Sequence, residues 1–268
     1  MSDGAPFAQL GRPRRVWAVA ACNGSPDRLE RLHLAIADRF QLGDRLVYLG
    51  NYLGAGSSAR TIDQILAFRA YLLSRPGMIP EDFVYLRGVQ EEIWSKLLQI
   101  QFAPNPREVL SWMLERGAAA TLQAYGGDAA AGLSATREGA MAMARWTNRL
   151  REAMRRYAGH EKFVTVLQRA ALTEDVGAGA VLFVHAGIDP ARPLAAQGDS
   201  FWWEASGFDR ITPPFETFGR IFRGYDPGGK GTQLDGYAVT LDGGAAHDGP
   251  LVAASVAPDG QIAELFEA

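Results

Sequence analysis

The sequence predicts an α/β fold in which two β-sheets are flanked by helices. Three observations lead to this prediction. A short apolar run, a glycine turn and a helical pattern follow one another three times in residues 16–100, which is typical of parallel βαβ units. Residues 104–175 are rich in Ala, Arg and Leu with helical periodicity, and they predict a helical insert. Residues 180–266 then contain short β segments separated by turn signals.

The first three units can be placed from their apolar patterns. Short apolar runs that end at glycine turns predict strands at residues 16–21, 45–49 and 83–86. Apolar stripes at helical spacing predict helices at residues 26–40, 58–73 and 90–100. Ser25 and Pro26 fit the cap and the first position of the first helix.

The second half changes from helices to strands. Within the insert, residues 125–128 interrupt the helical pattern. Further strands are predicted at residues 180–184, 220–222, 237–241, 251–256 and 262–266, with turns at 242–244 and 258–260. The last four strands suggest an antiparallel second sheet that completes a sandwich. The chain is therefore expected to form a single domain over residues 1–268.

Composition excludes several classes of protein. Of the 268 residues, 47% are hydrophobic and 21% are charged, as in ordinary globular proteins. A net charge of −3 argues against a dedicated nucleic-acid binder. The one cysteine, Cys22, excludes an internal disulfide and suits the reducing cytoplasm. Residues 1–15 lack the apolar core of a signal peptide, and no membrane-spanning run is present, so a cytoplasmic location is expected.

Glycine-containing turns mark the candidate site. They lie at residues 20–24, 50–56, 86–91 and 184–187, each directly after a predicted strand. In parallel sheets, ligands bind at the carboxyl ends of the strands. The residues in these turns are therefore expected to come together at one rim of the sheets.

In these turns the chain resembles the calcineurin-like metallophosphoesterases, and especially the bacterial serine/threonine phosphoprotein phosphatases and the diadenosine tetraphosphatases. The family pattern runs G-D-x-H-G, G-D-x-x-D-R-G, G-N-H-E, H-A-G and G-H-T, and the turns follow the same order over nearly the whole chain. Residues 183–190, which include His185-Ala186-Gly187, preserve the pattern best. Residues 112–125 also resemble a stretch of the bacterial members. The resemblance implies a metallophosphoesterase-like two-sheet β-sandwich with a helical insert.

The resemblance also implies a two-metal centre, in which a shared Asp bridges two ions that activate water. At the six ligand positions this sequence has Ala21, Asn23, Asn51, Val89, His185 and Tyr225, so His185 is the only retained ligand. Other positions of the vestigial pocket hold Gly54, Ala55, Gln90, Glu91 and Arg223, and Ala205 follows the tryptophan pair at 202–203. Gln90 stands where the family has its catalytic His, and Ala55 and Ala205 stand where it has arginines.

These replacements remove the charge that a pair of dications requires. Asn51 offers a neutral carbonyl in place of a bridging carboxylate, and Ala21 and Val89 offer no donor at all. The sequence therefore predicts no catalytic residues, no metal centre and no cofactor. It predicts a pseudophosphatase, a phosphatase homologue that acts as a binding or regulatory module. Candidate binding residues are Asn23, Asn51, Gln90, His185, Tyr225 and Asp226.

The alternative is a divergent phosphoesterase with a rebuilt site. In that interpretation His185 holds one weakly bound Mn, Fe or Zn ion, assisted by Asp226 or Asp242. Each candidate residue also has a purely structural interpretation, in which it binds no ligand. Asn23 and Asn51 can simply occupy turn positions that tolerate asparagine. Gln90 and Glu91 can serve the start of a helix, and His185 can be a buried histidine bonded to the backbone.

Two short motifs match patterns of other phosphate-binding proteins. Cys22 and Arg28 have the C-x5-R spacing of cysteine phosphatases, and residues 228–232 superficially resemble a phosphate-binding loop. The first lacks small donor residues between its ends, and no strong helix follows the second. We interpret the first as a coincidence and the second as a flexible β-hairpin loop.

The insert carries an excess of positive charge. Residues 137–169 contain eight basic residues opposed by Glu138, Glu152 and Glu161. Such a run predicts either a solvated helix face or a surface on which a protein partner docks. No nucleic-acid or membrane partner is expected.

Overall fold

The computed structural model describes residues 7–268, which form two mixed five-stranded sheets with helices around them. The strands are β1 Phe7–Gln9, β2 Val16–Val19, β3 Arg45–Tyr48, β4 Phe83–Tyr85, β5 Ala170–Leu172, β6 Ala180–Val184, β7 Phe218–Arg223, β8 Ala238–Thr240, β9 Val252–Val256 and β10 Ile262–Glu267. The helices are α1 Pro26–Ala37, α2 Ser58–Leu73, α3 Val89–Leu97, α4 Pro106–Met113, α5 Ala119–Ala124, α6 Ala129–Glu138, α7 Ala140–Arg155, α8 His160–Thr165, α9 Ser200–Trp203 and α10 Ala205–Phe208.

The first sheet has the strand order β10-β9-β2-β3-β4. Strands β2, β3 and β4 run parallel, with Trp17 opposite Leu46 and Val47 opposite Val84, as the repeated strand–turn–helix pattern predicts. Strand β9 pairs antiparallel with β2, and β10 pairs antiparallel with β9. Strands β2 and β9 are buried along their whole length, as expected for the centre of a sheet covered on both faces.

The second sheet has the strand order β1-β5-β6-β7-β8, and it corrects one prediction. Strands β7 and β8 run parallel to β6, whereas β9 and β10 belong to the first sheet. The prediction that these four strands form an antiparallel second sheet is therefore wrong. Residues 228–232 connect two parallel strands, so they do not form the predicted hairpin loop.

The helical insert is mostly as predicted. Helices α4 to α8 lie within residues 104–175, but the short strand β5 also lies there and pairs with both β1 and β6. Residues 114–118 form a kink between α4 and α5, in which Arg116 and Gly117 leave the helical conformation and Gly117 has a φ of +106°.

Smaller elements can also be compared with the sequence. Pro26 starts α1 as predicted, but the side chain of Ser25 makes no capping hydrogen bond. The prediction about a signal peptide concerns residues 1–15, of which residues 1–6 lie outside the described part. Within residues 7–268, no helix is both long and apolar enough to cross a bilayer.

Candidate functional site

The glycine turns meet at one rim of the two sheets, as their positions predict. Gly50 has a φ of +100°, and a Cβ atom added to it would lie 2.6 Å from Nδ1 of His185 and 2.8 Å from Cα of Gly88. The backbone N–H of Cys22 donates to the carbonyl of Gly50 at 3.0 Å, and that of Ala21 donates to the carbonyl of Gly224 at 2.9 Å. We call residues 21–23, 50–55, 88–91, 185 and 223–226 the strand-end site.

Neutral amides occupy the centre of this site. Asn51 Nδ2 donates to Asn23 Oδ1 at 3.1 Å, and Asn51 Oδ1 accepts the backbone N–H of Gln90 at 3.2 Å. The Asn23 side chain donates to the carbonyl of Ala21 at 3.2 Å. Both asparagines have positive φ, +45° for Asn23 and +55° for Asn51, a conformation that asparagine tolerates better than most residues. Their polar atoms therefore bond mostly to the protein itself.

The side chain of Gln90 is held between two glycines. A Cβ atom added to Gly54 or to Gly117 would lie 2.5 Å or 2.4 Å from atoms of that side chain. Gln90 Nε2 donates to the carbonyl of Arg116, in the kink between α4 and α5, at 2.9 Å. Its Oε1 is buried and has no hydrogen-bond partner among the described residues. The insert thus closes over the side chain of Gln90.

Glu91 is a structural acceptor for the loops. Its carboxylate accepts the backbone N–H groups of Gly88 at 2.8 Å, Leu53 at 2.9 Å and Asn51 at 3.0 Å. Burial raises the pKa of Glu91, although these three hydrogen bonds act in the opposite direction. Glu91 therefore fixes the Gly50–Leu53 turn against the start of α3.

His185 lies fully buried beside Tyr225, with the two ring centroids 5.3 Å apart. Its Nδ1 bonds to the carbonyl of Leu49 at 2.5 Å, so Nδ1 carries the proton of the neutral ring. Nε2 is buried and has no partner among the described residues. Burial lowers the pKa of His185 to about 4, so the imidazole is neutral at physiological pH.

Acid should therefore weaken the fold through its buried histidines. The pKa of His185 is lowered to about 4 and that of His33 to about 3, in both cases by burial. Below pH ~6.5 these histidines become protonated in the unfolded chain but stay neutral in the folded one. The free energy of unfolding therefore falls as the pH is lowered towards 4, by up to about 1.4 kcal/mol per pH unit for each histidine. The check is the urea midpoint at pH 7.5, 6.0 and 5.0.

Two histidine variants serve as controls for this pH dependence of the urea midpoint. His185→Gln should show a smaller loss between pH 7.5 and 5.0, whereas His247→Gln, at an exposed position, should follow the unaltered protein. The difference between variants isolates the histidine, because carboxyl groups titrate in the same range. Equal pH dependence in all three proteins would contradict the burial of a neutral His185.

The charged residues of the last turn are already paired. Arg223 is fully buried, and its Nη2 lies 3.1 Å from Asp209 Oδ1 and 3.3 Å from Asp226 Oδ1. Asp226 also accepts the backbone N–H of Gly228 at 3.0 Å. Asp242 accepts the backbone N–H of Asp226 at 2.9 Å, and burial raises its pKa. Asp226 and Asp242, the predicted helpers of His185, are thus engaged elsewhere.

The residues present do not fit a pair of metal ions. Ala21 and Val89 carry no donor atom, and the amide oxygen of Asn51 already accepts a backbone N–H. Within residues 7–268, no three side chains of the His, Cys, Asp and Glu types are grouped so that they could hold an ion. His185 Nε2 is a single imidazole donor, which does not neutralise a dication.

The two phosphate-binding motifs do not form sites. Cys22 is fully buried, burial raises the pKa of its thiol, and Arg28 donates instead to the carbonyls of Ala245 and Asp248. In residues 228–232, the backbone N–H of Lys230 donates to Asp226, and the Lys230 side chain pairs with Asp209. The prediction that the C-x5-R spacing is a coincidence agrees with this geometry.

Some contacts of the site come from residues that the sequence did not indicate. Besides the carbonyl of Arg116, Thr121 Oγ1 accepts the backbone N–H of Gly54 at 2.8 Å. Trp202 Nε1 donates to the carbonyl of Arg87 at 2.8 Å and supports the third turn. In the sequence, the glycine at position 117 within a helical pattern was the one signal of a close approach by another residue, which in the structure is Gln90.

Two sheets, flanking helices and loops that meet at the strand carboxyl ends define a metallophosphoesterase-like fold. A similar solved structure is a protein serine/threonine phosphatase from Saccharomyces cerevisiae with similarity to human phosphatase PP5. The two chains are 12% identical with a TM-score of 0.54, and the match covers 98% of this chain and 84% of the yeast one. At this identity the likeness shows the fold alone. No family model and no curated protein matches the sequence.

Proposed function

We propose that this protein is a pseudophosphatase: it keeps the phosphatase-like fold, does not hydrolyse phosphate esters by a two-metal mechanism, and acts as a binding or regulatory module. The observation that supports this proposal is the amide network of Asn23, Asn51 and Gln90. It places neutral, mutually bonded groups where charged ligands would be needed.

Among the described residues that make up the strand-end site, Arg223 is the one cationic side chain, and it is not free to bind a phosphoryl group. Gly54, Ala55 and Ala205 stand where the family has charged residues, and Arg223 is used within the protein. Arg223 Nη1 donates to the carbonyl of Ala205 at 3.2 Å, so it holds together the loops rather than extending from them. Stabilising the charge of a transferring phosphoryl group requires cationic or metal groups aimed at it.

A second candidate function rests on His185. Its buried Nε2 has no partner among the described residues, so it offers one unshared nitrogen at the rim of the sheets. This atom favours the alternative of a rebuilt phosphoesterase with a single weakly held ion. The two candidates differ in metal content and in activity, and both can be measured on the same preparation.

The first test is metal analysis of protein purified without chelator, together with hydrolysis of an aryl phosphate in the presence of Mn²⁺. The pseudophosphatase predicts no stoichiometric metal and no hydrolysis above that of an unrelated control protein. Two metals per chain would contradict it. Hydrolysis that His185→Ala abolishes would favour the single-metal enzyme.

A repaired protein tests the positions of the ligands. It carries Ala21→Asp, Asn23→His, Asn51→Asp, Val89→Asn, Gln90→His and Tyr225→His. We expect this variant to bind about two Mn²⁺ ions per chain, because the full set of oxygen and imidazole donors is restored. A folded variant that binds none would show that the loops have been aligned wrongly with the family motifs.

The insert provides the surface on which we place a protein partner. Arg145, Arg149 and Arg156 are exposed on α7 and at its end, and none forms a salt bridge within residues 7–268. Spacings of four and seven residues place them on one helix face. Arg155, by contrast, pairs with Glu161 at 2.7 Å.

A free arginine face suits an acidic partner. We expect a poly-glutamate peptide to bind at low salt and to be released as salt is raised. Changing Arg145, Arg149 and Arg156 together to Gln should weaken this binding, whereas Arg12→Gln, in the loop between β1 and β2, should not. Equal binding of the peptide by the triple variant and by Arg12→Gln would show that this face of the insert is not the docking surface.

A further inference from the structure

A cavity lies away from the strand-end site. It has a volume of about 680 Å³ and opens between β4, β1 and the helices α2 and α8. Strands β1 and β4 are end strands of different sheets, so the cavity lies where the two sheets diverge. It shares no lining residue with the strand-end site. We call it the edge pocket.

The walls of the edge pocket are apolar and aromatic. Phe7, Leu66, Phe83 and Phe163 line it, and Phe163 packs edge-on against Tyr85, with centroids 5.0 Å apart. Such a wall favours a ligand with an apolar body.

The polar lining carries an excess of positive charge. Arg69 of α2 and Lys162 of α8 both line it, and neither forms a salt bridge within residues 7–268. The Arg69 guanidinium lies over the ring of Phe83, 6.0 Å from its centroid. Glu81 is the one carboxylate of the lining, and it also has no salt bridge in the described residues. Two cations against one anion favour a negatively charged ligand.

We propose that the edge pocket binds a small amphipathic anion, an apolar chain or ring with one carboxylate or phosphate group. The apolar part occupies the aromatic wall, and the anionic group lies near Arg69 and Lys162. The volume is within the range of about 300–1,000 Å³ found for small-molecule sites. This site is independent of the function proposed for the strand ends.

An extended peptide fits the pocket less well. It would have to add a strand to one of the two end strands in the lining, β1 or β4, and each of these is only three residues long. The edge of β4 is already partly paired with the backbone of Gln168. The N–H of Gln168 donates to the carbonyl of Tyr85 at 2.8 Å, and its carbonyl accepts the N–H of Arg87 at 2.7 Å. Only the backbone of Phe83 and Val84 remains, which is too short for strand pairing.

The test is calorimetry of the full chain with decanoate and decyl phosphate, below their micellar concentrations, and with decanol as the uncharged probe. We expect saturable binding of about one anion per chain, at least about tenfold tighter than decanol. Comparing the two anions separates a carboxylate ligand from a phosphate ligand. Binding that does not saturate, or that is equally strong for decanol, would overturn the proposal.

Variants locate the binding in the pocket. Arg69→Gln and Lys162→Gln should each weaken decanoate binding several-fold, and Val166→Trp, at an exposed position of the lining, should block it. Lys162 is exposed, so Lys162→Gln should fold normally and still tests the pocket if Arg69→Gln does not fold. Arg145→Gln, on the insert, should bind as the unaltered protein does. Undiminished binding by all three pocket variants would place the anion elsewhere.

Discussion

Replacing Arg223 by methionine should lower the free energy of unfolding by about 3–5 kcal/mol, the usual cost of removing one partner of a buried ion pair. Arg223 is fully buried, and the Asp226 side chain beside it is 4% exposed. Methionine fills a similar volume without the charge, so the loss arises from the carboxylate that stays behind. Denaturant unfolding at pH 7 measures it.

The size of this effect follows from the number of contacts that end on one guanidinium. Its Nε donates to Thr240 Oγ1 at 2.9 Å, Nη1 donates to the carbonyl of Ala205, and Nη2 contacts Asp209 and Asp226. It also lies 4.5 Å from the ring centroid of Phe208. Arg223→Lys should recover only part of the loss, because one ammonium cannot reproduce the planar set of donors.

A second substitution separates charge from packing. Adding Asp226→Asn to Arg223→Met should restore part of the stability, because the unpaired buried charge is then absent. The control is Arg60→Met, since Arg60 and Asp27 form a pair at 2.9 Å that is 68% and 71% exposed, and such pairs contribute little. If Arg223→Met lowered the free energy of unfolding as little as Arg60→Met does, Arg223 would be free to bind a ligand. The conclusion that Arg223 is used within the protein would then be wrong.

Local patterns predicted the elements on which this site is built. The helix at 58–73 and the strand at 180–184 were predicted with the bounds that α2 and β6 have in the structure. An apolar stripe at helical spacing and a continuous apolar run are strong local signals. The meeting of the turns followed from the rule that parallel strands present their carboxyl ends at one edge.

Partners between distant strands could not be predicted in the same way. Residues 258–260 do form the predicted turn between β9 and β10, yet this turn does not determine that β9 pairs with β2. Strand β5 is three residues long, Ala-Ala-Leu, and such a segment has no period that distinguishes a strand from a helix. The carbonyls of Leu49 and Arg116, which bind His185 and Gln90, are backbone groups that any residue provides.

Asn51→Asp, a change of one atom, should destabilise the protein by about 1–3 kcal/mol at pH 7. Asn51 donates through Nδ2 to Asn23 Oδ1 at 3.1 Å, and an aspartate would place a second oxygen against that acceptor. The buried carboxylate of Glu91 is also close, since it accepts the N–H of Asn51 at 3.0 Å. Thermal unfolding with and without Mn²⁺ measures the effect.

The pH dependence of this variant has a definite sign. Burial, Glu91 and the facing oxygen of Asn23 all disfavour the charged form, so the folded-state pKa of the new carboxyl is raised. Its deficit in stability is therefore largest at neutral pH and shrinks as pH falls through that pKa. Asn23→Asp is the matched control, because it keeps the oxygen that accepts from Asn51 and loses only the bond to the carbonyl of Ala21.

The response to Mn²⁺ then distinguishes the two proposed functions. A cation that binds the folded protein alone raises stability with its concentration, by RT ln(1 + [L]/Kd). If the strand-end site lacks the other ligands, the restored bridging carboxylate has no ion to hold, and Asn51→Asp stays destabilised in millimolar Mn²⁺. If Mn²⁺ raises the stability of the unaltered protein as well as that of Asn51→Asp, but not that of Asn23→Asp, His185 and its neighbours bind a cation without the restored carboxylate, and the pseudophosphatase proposal fails in favour of a single-metal site.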